Sequence, residues 1–97
     1  MFAQSAAVPI HNHTVAVGTA TGGISLLPAR FRTFLGLYND SGNVILCTVD
    51  DTNATATHGM RVPATSGQIV FESRVPRGSL RCYSATDGSL LSIAEGL

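Results

Sequence analysis

His11 and His13 stand two residues apart, and in an extended segment that spacing puts both imidazoles on one face. Paired imidazoles begin a metal site, but a site needs at least a third protein ligand in suitable geometry. His58, Cys47 and Cys82 are the candidates, and no spacing supports any of them. The histidines therefore read as polar surface residues, and no metal or other cofactor is expected. Asp50-Asp51-Thr52-Asn53 resembles a calcium loop only faintly. It lacks the glycine at the sixth position and the closing glutamate of an EF-hand, so it reads as a solvated loop. A catalytic nucleophile needs a positioned base. Serines are abundant, yet no G-x-S-x-G elbow occurs. Most of the six carboxylates sit in turns, where Asp is expected anyway, and no glycine-rich phosphate loop opens a helix. The chain is expected not to be an enzyme and to take no small-molecule substrate.

The basic residues are more informative. All six are arginine, at positions 30, 32, 61, 74, 77 and 81, and there is no lysine. Arginine is enriched and lysine depleted at protein interfaces, because the guanidinium is weakly hydrated and binds in a bidentate fork. GC-rich coding produces the same bias without functional meaning. Six acids balance the six bases, so the formal net charge is zero. That excludes a broad electrostatic footprint for nucleic acid and gives no sign of an acidic-membrane binder.

These residues must be positioned by 97 residues of chain, enough for one modest core and not for two. Charged residues make up 12%, about half the usual share, against nine Leu, eight Val, five Ile and eleven Ala. Such a composition folds rather than remaining disordered. The opening MFAQSAAVPIHNHTV has no Lys or Arg and an interrupted apolar run, so it reads as no export signal. No apolar run approaches the roughly 20 residues of a membrane-spanning helix.

Helical periodicity is nearly absent. Short runs rich in Val, Ile, Leu, Thr or Phe alternate with turn signals instead. Strands are predicted at residues 14–18, 24–27, 33–39, 44–49, 59–62, 68–72, 80–84 and 90–94. Asp40-Ser41-Gly42-Asn43 is predicted to join two of them as a β-hairpin, with Gly42 supplying a positive φ. Pro63 marks an edge. Ser66-Gly67, Val75-Pro76-Arg77-Gly78 and Thr86-Asp87-Gly88 read as turns. Seven or eight short strands near ten-residue spacing predict an all-β fold, a small antiparallel β-sandwich of jelly-roll type. The predicted core is Leu35, Leu37, Ile45, Cys47, Val49, Ile69, Phe71, Leu80, Cys82, Leu91 and Ile93. Cys47 and Cys82 lie inside strand-like runs and read as buried thiols or as a disulfide between neighbouring strands. Two cysteines form no disulfide framework, which fits a reducing folding compartment.

All twelve charges lie between Arg30 and Glu95, and residues 1–29 carry none. The expected division is an extended N-terminal arm, residues 1–14, ahead of a single domain, residues 15–97. The uncharged stretch is either the first two strands with a loose start or a segment that lies on another chain. In the second case Phe2, Val8 and Ile10 are its anchors, and Arg30, Arg32, Arg74 and Arg77 are the candidates for pairing with a partner's carboxylates.

Residues 26–96 carry a further pattern. Leu27-Pro28-Ala29 is followed by the basic Arg32. Then come Leu35-Gly36-Leu37-Tyr38-Asn39-Asp40-Ser41-Gly42-Asn43, a Thr-rich loop at 52–59, and Pro63-Ala64-Thr65-Ser66-Gly67. Ile69-Val70-Phe71, Pro76-Arg77-Gly78, a strand at 80–84 and Leu91-Ser92-Ile93-Ala94-Glu95-Gly96 complete it. This stretch, about three-quarters of the chain, resembles small β-sandwich proteins of tailed bacteriophages, the head cement (decoration) type among them. The resemblance implies a virion protein on the capsid exterior, made in the host bacterial cytoplasm. It would bind the outer head surface, bridge major capsid protein subunits, and associate with itself, as a dimer by preference or a trimer. It implies no catalytic residues. A tail, collar or fibre-attachment component is the alternative. A carbohydrate-binding module is a poorer fit, because such modules present aromatic platforms and this chain has no Trp and only Tyr38 and Tyr83.

Overall fold

The computed structural model describes residues 10–19 and 32–96. They form seven strands and no helix: β1 (Ile10–Val17), β2 (Phe34–Asn39), β3 (Ile45–Thr48), β4 (Met60–Val62), β5 (Gln68–Phe71), β6 (Arg81–Tyr83) and β7 (Ser89–Gly96). Every pairing is antiparallel. The strands make two sheets, ordered β1-β7-β2-β5 and β4-β3-β6. The strand predicted at residues 24–27 lies outside the described residues.

One apolar cluster joins the two sheets. Leu35 and Leu37 of β2, Leu91 and Ile93 of β7 and Val17 of β1 come from the larger sheet; Ile45, Cys47, Val62, Leu80 and Cys82 come from the smaller sheet and its approach. Alternation explains the membership, since residues two apart on a strand share a face. Val49, Ile69 and Phe71 pack against the cluster but are only partly buried. Val17 and Val62 were not predicted for the core; each ends a strand beside a turn residue.

The two cysteines are not free thiols. Cys47 and Cys82 stand directly opposite each other on β3 and β6, and their sulfurs are joined.

The predicted β-hairpin does not form. Its two strands, β2 and β3, belong to different sheets, so the turn at residues 40–43 carries the chain from one layer to the other. The cause is Asn39, which is fully buried at the end of β2. Its amide nitrogen donates to the carbonyls of Asn43 (2.7 Å) and Val62 (3.1 Å). Its oxygen accepts from the Ser41 amide (2.9 Å) and hydroxyl (2.7 Å). One side chain thus closes the local turn and ties β2 to β4 in the other sheet. Gly42 is not at a positive φ. The turn before β5 shows a similar exchange of roles. Thr65 and Ser66 hold the left-handed conformation (φ 57° and 68°), while Gly67 is needed because a Cβ there would lie 2.2 Å from the Pro63 carbonyl oxygen.

β1 begins at Ile10 rather than at residue 14 and pairs with β7 along its length, from Ile10 opposite Gly96 to Val17 opposite Ser89. The predicted arm therefore overlaps the fold at residues 10–14. Its first half escaped the period-two reading because the inward positions are His11 and His13, not aliphatic residues. Leaving β1, the Gly18 carbonyl accepts from the Ser84 amide (3.0 Å), just past β6.

The polar loop at 50–57 is held by its own acids. Asp51, at φ 67°, accepts from the amide (2.9 Å) and hydroxyl (2.7 Å) of Ser79. The backbone bond foremost, then the hydroxyl bond, keeps its carboxyl below the ordinary value of 3.8. Asp50 is lowered likewise, first by the Thr52 hydroxyl and then by the Thr52 amide. A carboxyl depressed in the folded state favours folding above its unfolded value, and that contribution vanishes as pH falls through the folded value. The melting temperature should hold from neutral pH down to about 4 and then drop, and Asp51→Asn should drop less steeply. Thermal melts at stepped pH check this; parallel acid limbs for both chains would contradict it.

Candidate docking surface

Three separated stretches of chain meet at one end of the larger sheet. Ile10 opens β1 opposite Gly96, and Phe34 opens β2 opposite the same residue from the other side. The Thr33 amide donates to the Gly96 carbonyl (2.8 Å), which brings Arg32 alongside β7. The loop between β5 and β6, with Arg74 and Arg77, closes over this end. A cleft of about 550 Å³ lies there, lined by Arg32, Thr33, Glu72, Ser73, Arg74, Val75 and Arg77.

Arg32, expected among the docking arginines, is not presented on the surface. It is 1% exposed. Its Nε donates to Glu95 Oε2 (2.7 Å), and Nη1 donates to the carbonyls of Pro76 (2.6 Å) and Gly78 (3.3 Å). A buried guanidinium is tolerated only when paired and hydrogen-bonded, and Arg32 is both. Residues 75–78, predicted as a turn, form instead an irregular loop whose carbonyls wrap this guanidinium. Arg32 thus anchors the loop that presents the two outer arginines. Arg74 and Arg77 are exposed. Arg74 holds φ 53°, a left-handed conformation unusual for a long side chain. Ile10 is 49% exposed. Phe2, Val8 and Arg30 lie outside the described residues.

The other arginines behave differently. Arg81 is half-buried and donates to Asn53 Oδ1 (2.7 Å) and Ser79 Oγ (3.2 Å), bracing the polar loop. Arg61 is exposed on β4, opposite Leu46 of β3.

The histidines do not converge on a metal centre. His13 Nε2 lies 3.9 Å from Glu95 Oε1, on the far side of the carboxylate from Arg32. Among the described residues, no three His, Cys, Asp or Glu side chains gather closely enough to hold an ion. His58 Nε2 is 3.0 Å from Thr52 Oγ1, and Thr52 gives its one hydroxyl proton to Asp50 (2.5 Å). The imidazole must then donate to the hydroxyl, the reverse of the order that activates a nucleophile. Both tyrosines are half-buried, and the Tyr38 ring lies across Gly36. Among the described residues no helix is long and apolar enough to cross a membrane.

The role of Arg32 was missed because its partners are remote in sequence: Glu95 is 63 residues away and Pro76 44. The only signal was compositional, a single acid in an otherwise uncharged closing strand. No protein-family profile matches the chain, and neither a curated protein nor a solved structure does.

Proposed function

We propose that this chain is a bacteriophage capsid cement protein, with its two sheets forming a jelly-roll-type sandwich. It binds the outer surface of the head and bridges major capsid protein subunits. The observation that carries this reading is the convergence at one sheet end. There β1 begins, at Ile10, on the same end of the sheet as the loop that carries the exposed Arg74 and Arg77. An uncharged N-terminal sequence and two exposed guanidiniums suit a surface that is part apolar and part acidic. Cementing is a binding function: contact area clamps neighbouring subunits that internal DNA pressure pushes apart. It calls for no cofactor, nucleic acid, membrane or small substrate. The chain would be made in the host cytoplasm and act on the capsid exterior, associating with itself as a dimer.

The test uses empty heads and gel densitometry. Arg74→Ala with Arg77→Ala should weaken occupancy about tenfold, since charge-assisted hydrogen bonds contribute about 1.5–3 kcal/mol each before competition with water and salt. Wild-type occupancy should fall with added salt, and the double variant, starting lower, should fall less. Deleting residues 2–9, which spares β1, should also weaken binding while leaving a folded domain. Unchanged occupancy in both variants would overturn the docking assignment.

A further inference from the structure

The loop between β5 and β6 is held from inside and presents its charges outside. Val75 packs against the core cluster. The buried Arg32 guanidinium binds the carbonyls of Pro76 and Gly78, and Ser79 donates its amide and hydroxyl to Asp51. Gly78 passes so close to the end of β3 that a Cβ there would lie 2.5 Å from the Val49 carbonyl oxygen. Around these fixed points Glu72, Ser73, Arg74 and Arg77 are exposed, and with Thr33 they line the cleft of about 550 Å³. Arg74 keeps its left-handed φ of 53°, a conformation that persists only where the surrounding structure imposes it. None of these five side chains makes a hydrogen bond or ion pair with another described residue. A buried ion pair requires the desolvation of two charges. Here that pair fixes a loop whose own two guanidiniums have no partner among the described residues.

We propose that this cleft receives an acidic peptide segment, its carboxylates bound by Arg74 and Arg77, and that Glu72 makes the cleft select peptide over phosphate. The inference rests on the docking reading above and names the chemistry of the partner. Charge supplies the first half. Glu95 neutralises Arg32, which leaves two guanidiniums against the single carboxylate of Glu72. A guanidinium binds a carboxylate through two parallel hydrogen bonds. The loop is already held in place, so little of that binding is lost to ordering it. Glu72 supplies the second half. A phosphate monoester carries about −1.5 to −2 at neutral pH, so Glu72 repels it more strongly than a singly charged carboxylate. The phosphate dianion also has no proton to give Glu72. A peptide has backbone N–H groups to give, and the hydroxyls of Thr33 and Ser73 can donate to its carbonyls.

Amide-resolved NMR titration at low salt tests it with three probes: a blocked short peptide bearing two aspartates, its asparagine counterpart, and inorganic phosphate. The aspartate peptide should shift the amides of residues 72–77 and saturate at roughly millimolar concentration. The asparagine peptide should not saturate, and phosphate should bind more weakly than the aspartate peptide. Arg77→Ala should weaken the aspartate peptide by about tenfold, with amide signals elsewhere unmoved. Glu72→Gln keeps an acceptor and removes the charge, so it should narrow the preference for peptide over phosphate by about tenfold. No saturation by the aspartate peptide, equal binding of the asparagine form, phosphate binding as tightly as peptide, or a preference unchanged in Glu72→Gln would each overturn the proposal. Occupancy on heads separates this result from the docking reading. If Arg74→Ala with Arg77→Ala empties the heads while the aspartate peptide fails to bind, docking stands and the peptide assignment falls. If the aspartate peptide binds as described while heads keep the double variant, the cleft stands and docking falls.

Discussion

Arg32→Met is expected to lower the unfolding free energy by about 3–5 kcal/mol, the usual consequence of removing one partner from a buried ion pair. Three groups lose their donor at once: the Glu95 carboxylate and the carbonyls of Pro76 and Gly78. Glu95 is 8% exposed, so water replaces the guanidinium poorly. The damage should be directional. The loop bearing Arg74 and Arg77 loses its tie to β7, so docking should weaken even at temperatures where the variant stays folded. Removing the uncompensated charge should recover part of the loss, so Arg32→Met with Glu95→Gln is expected to be more stable than Arg32→Met alone. Urea denaturation of the three chains checks this. A single variant within about 1 kcal/mol of wild type would mean that the pair is not buried as described.

Breaking the Cys47–Cys82 bond should have the next largest effect. The bond closes a loop with a sequence separation of 35. Chain-entropy reasoning assigns about 4 kcal/mol to a loop of that length, although engineered and native bonds often deliver less. β6 has three residues and pairs only with β3 among the described strands, so it depends on this link more than a central strand would. Both sulfurs lie in the shared core. Changing both cysteines to alanine leaves small apolar residues there and isolates the cross-link from any buried polar group. The double variant should melt lower by more than 10 °C or so. Wild-type protein held in strong reductant should move the same way, and equal melting curves with and without reductant would show that the bond contributes nothing.

Much of the fold was legible because burial here follows alternation. Leu35 and Leu37, Ile45 and Cys47, Leu80 and Cys82, and Leu91 and Ile93 all face inward as their spacing predicts. The edge position of β4 followed from Pro63, since a residue without an amide hydrogen cannot extend the ladder. What failed was decided by single polar side chains acting over distance. Asn39 diverts a turn that otherwise reads as a hairpin by bonding Val62, 23 residues on. Arg32 reads as a surface cation until Glu95 arrives beside it. The first half of β1 carries histidines where strands usually carry aliphatics, because that end of the sheet faces a carboxylate rather than the core. Of the docking candidates, Ile10, Arg74 and Arg77 share one sheet end, an arrangement no sequence spacing could announce.

The proposal that this chain coats capsids is tested most directly by counting it in purified virions. Quantitative mass spectrometry of purified particles gives the number of copies relative to the major capsid protein. The account predicts hundreds of copies per particle, released together with loss of shell stability. A dozen or fewer would place the chain in a tail or collar, and its absence from particles would contradict a virion role altogether.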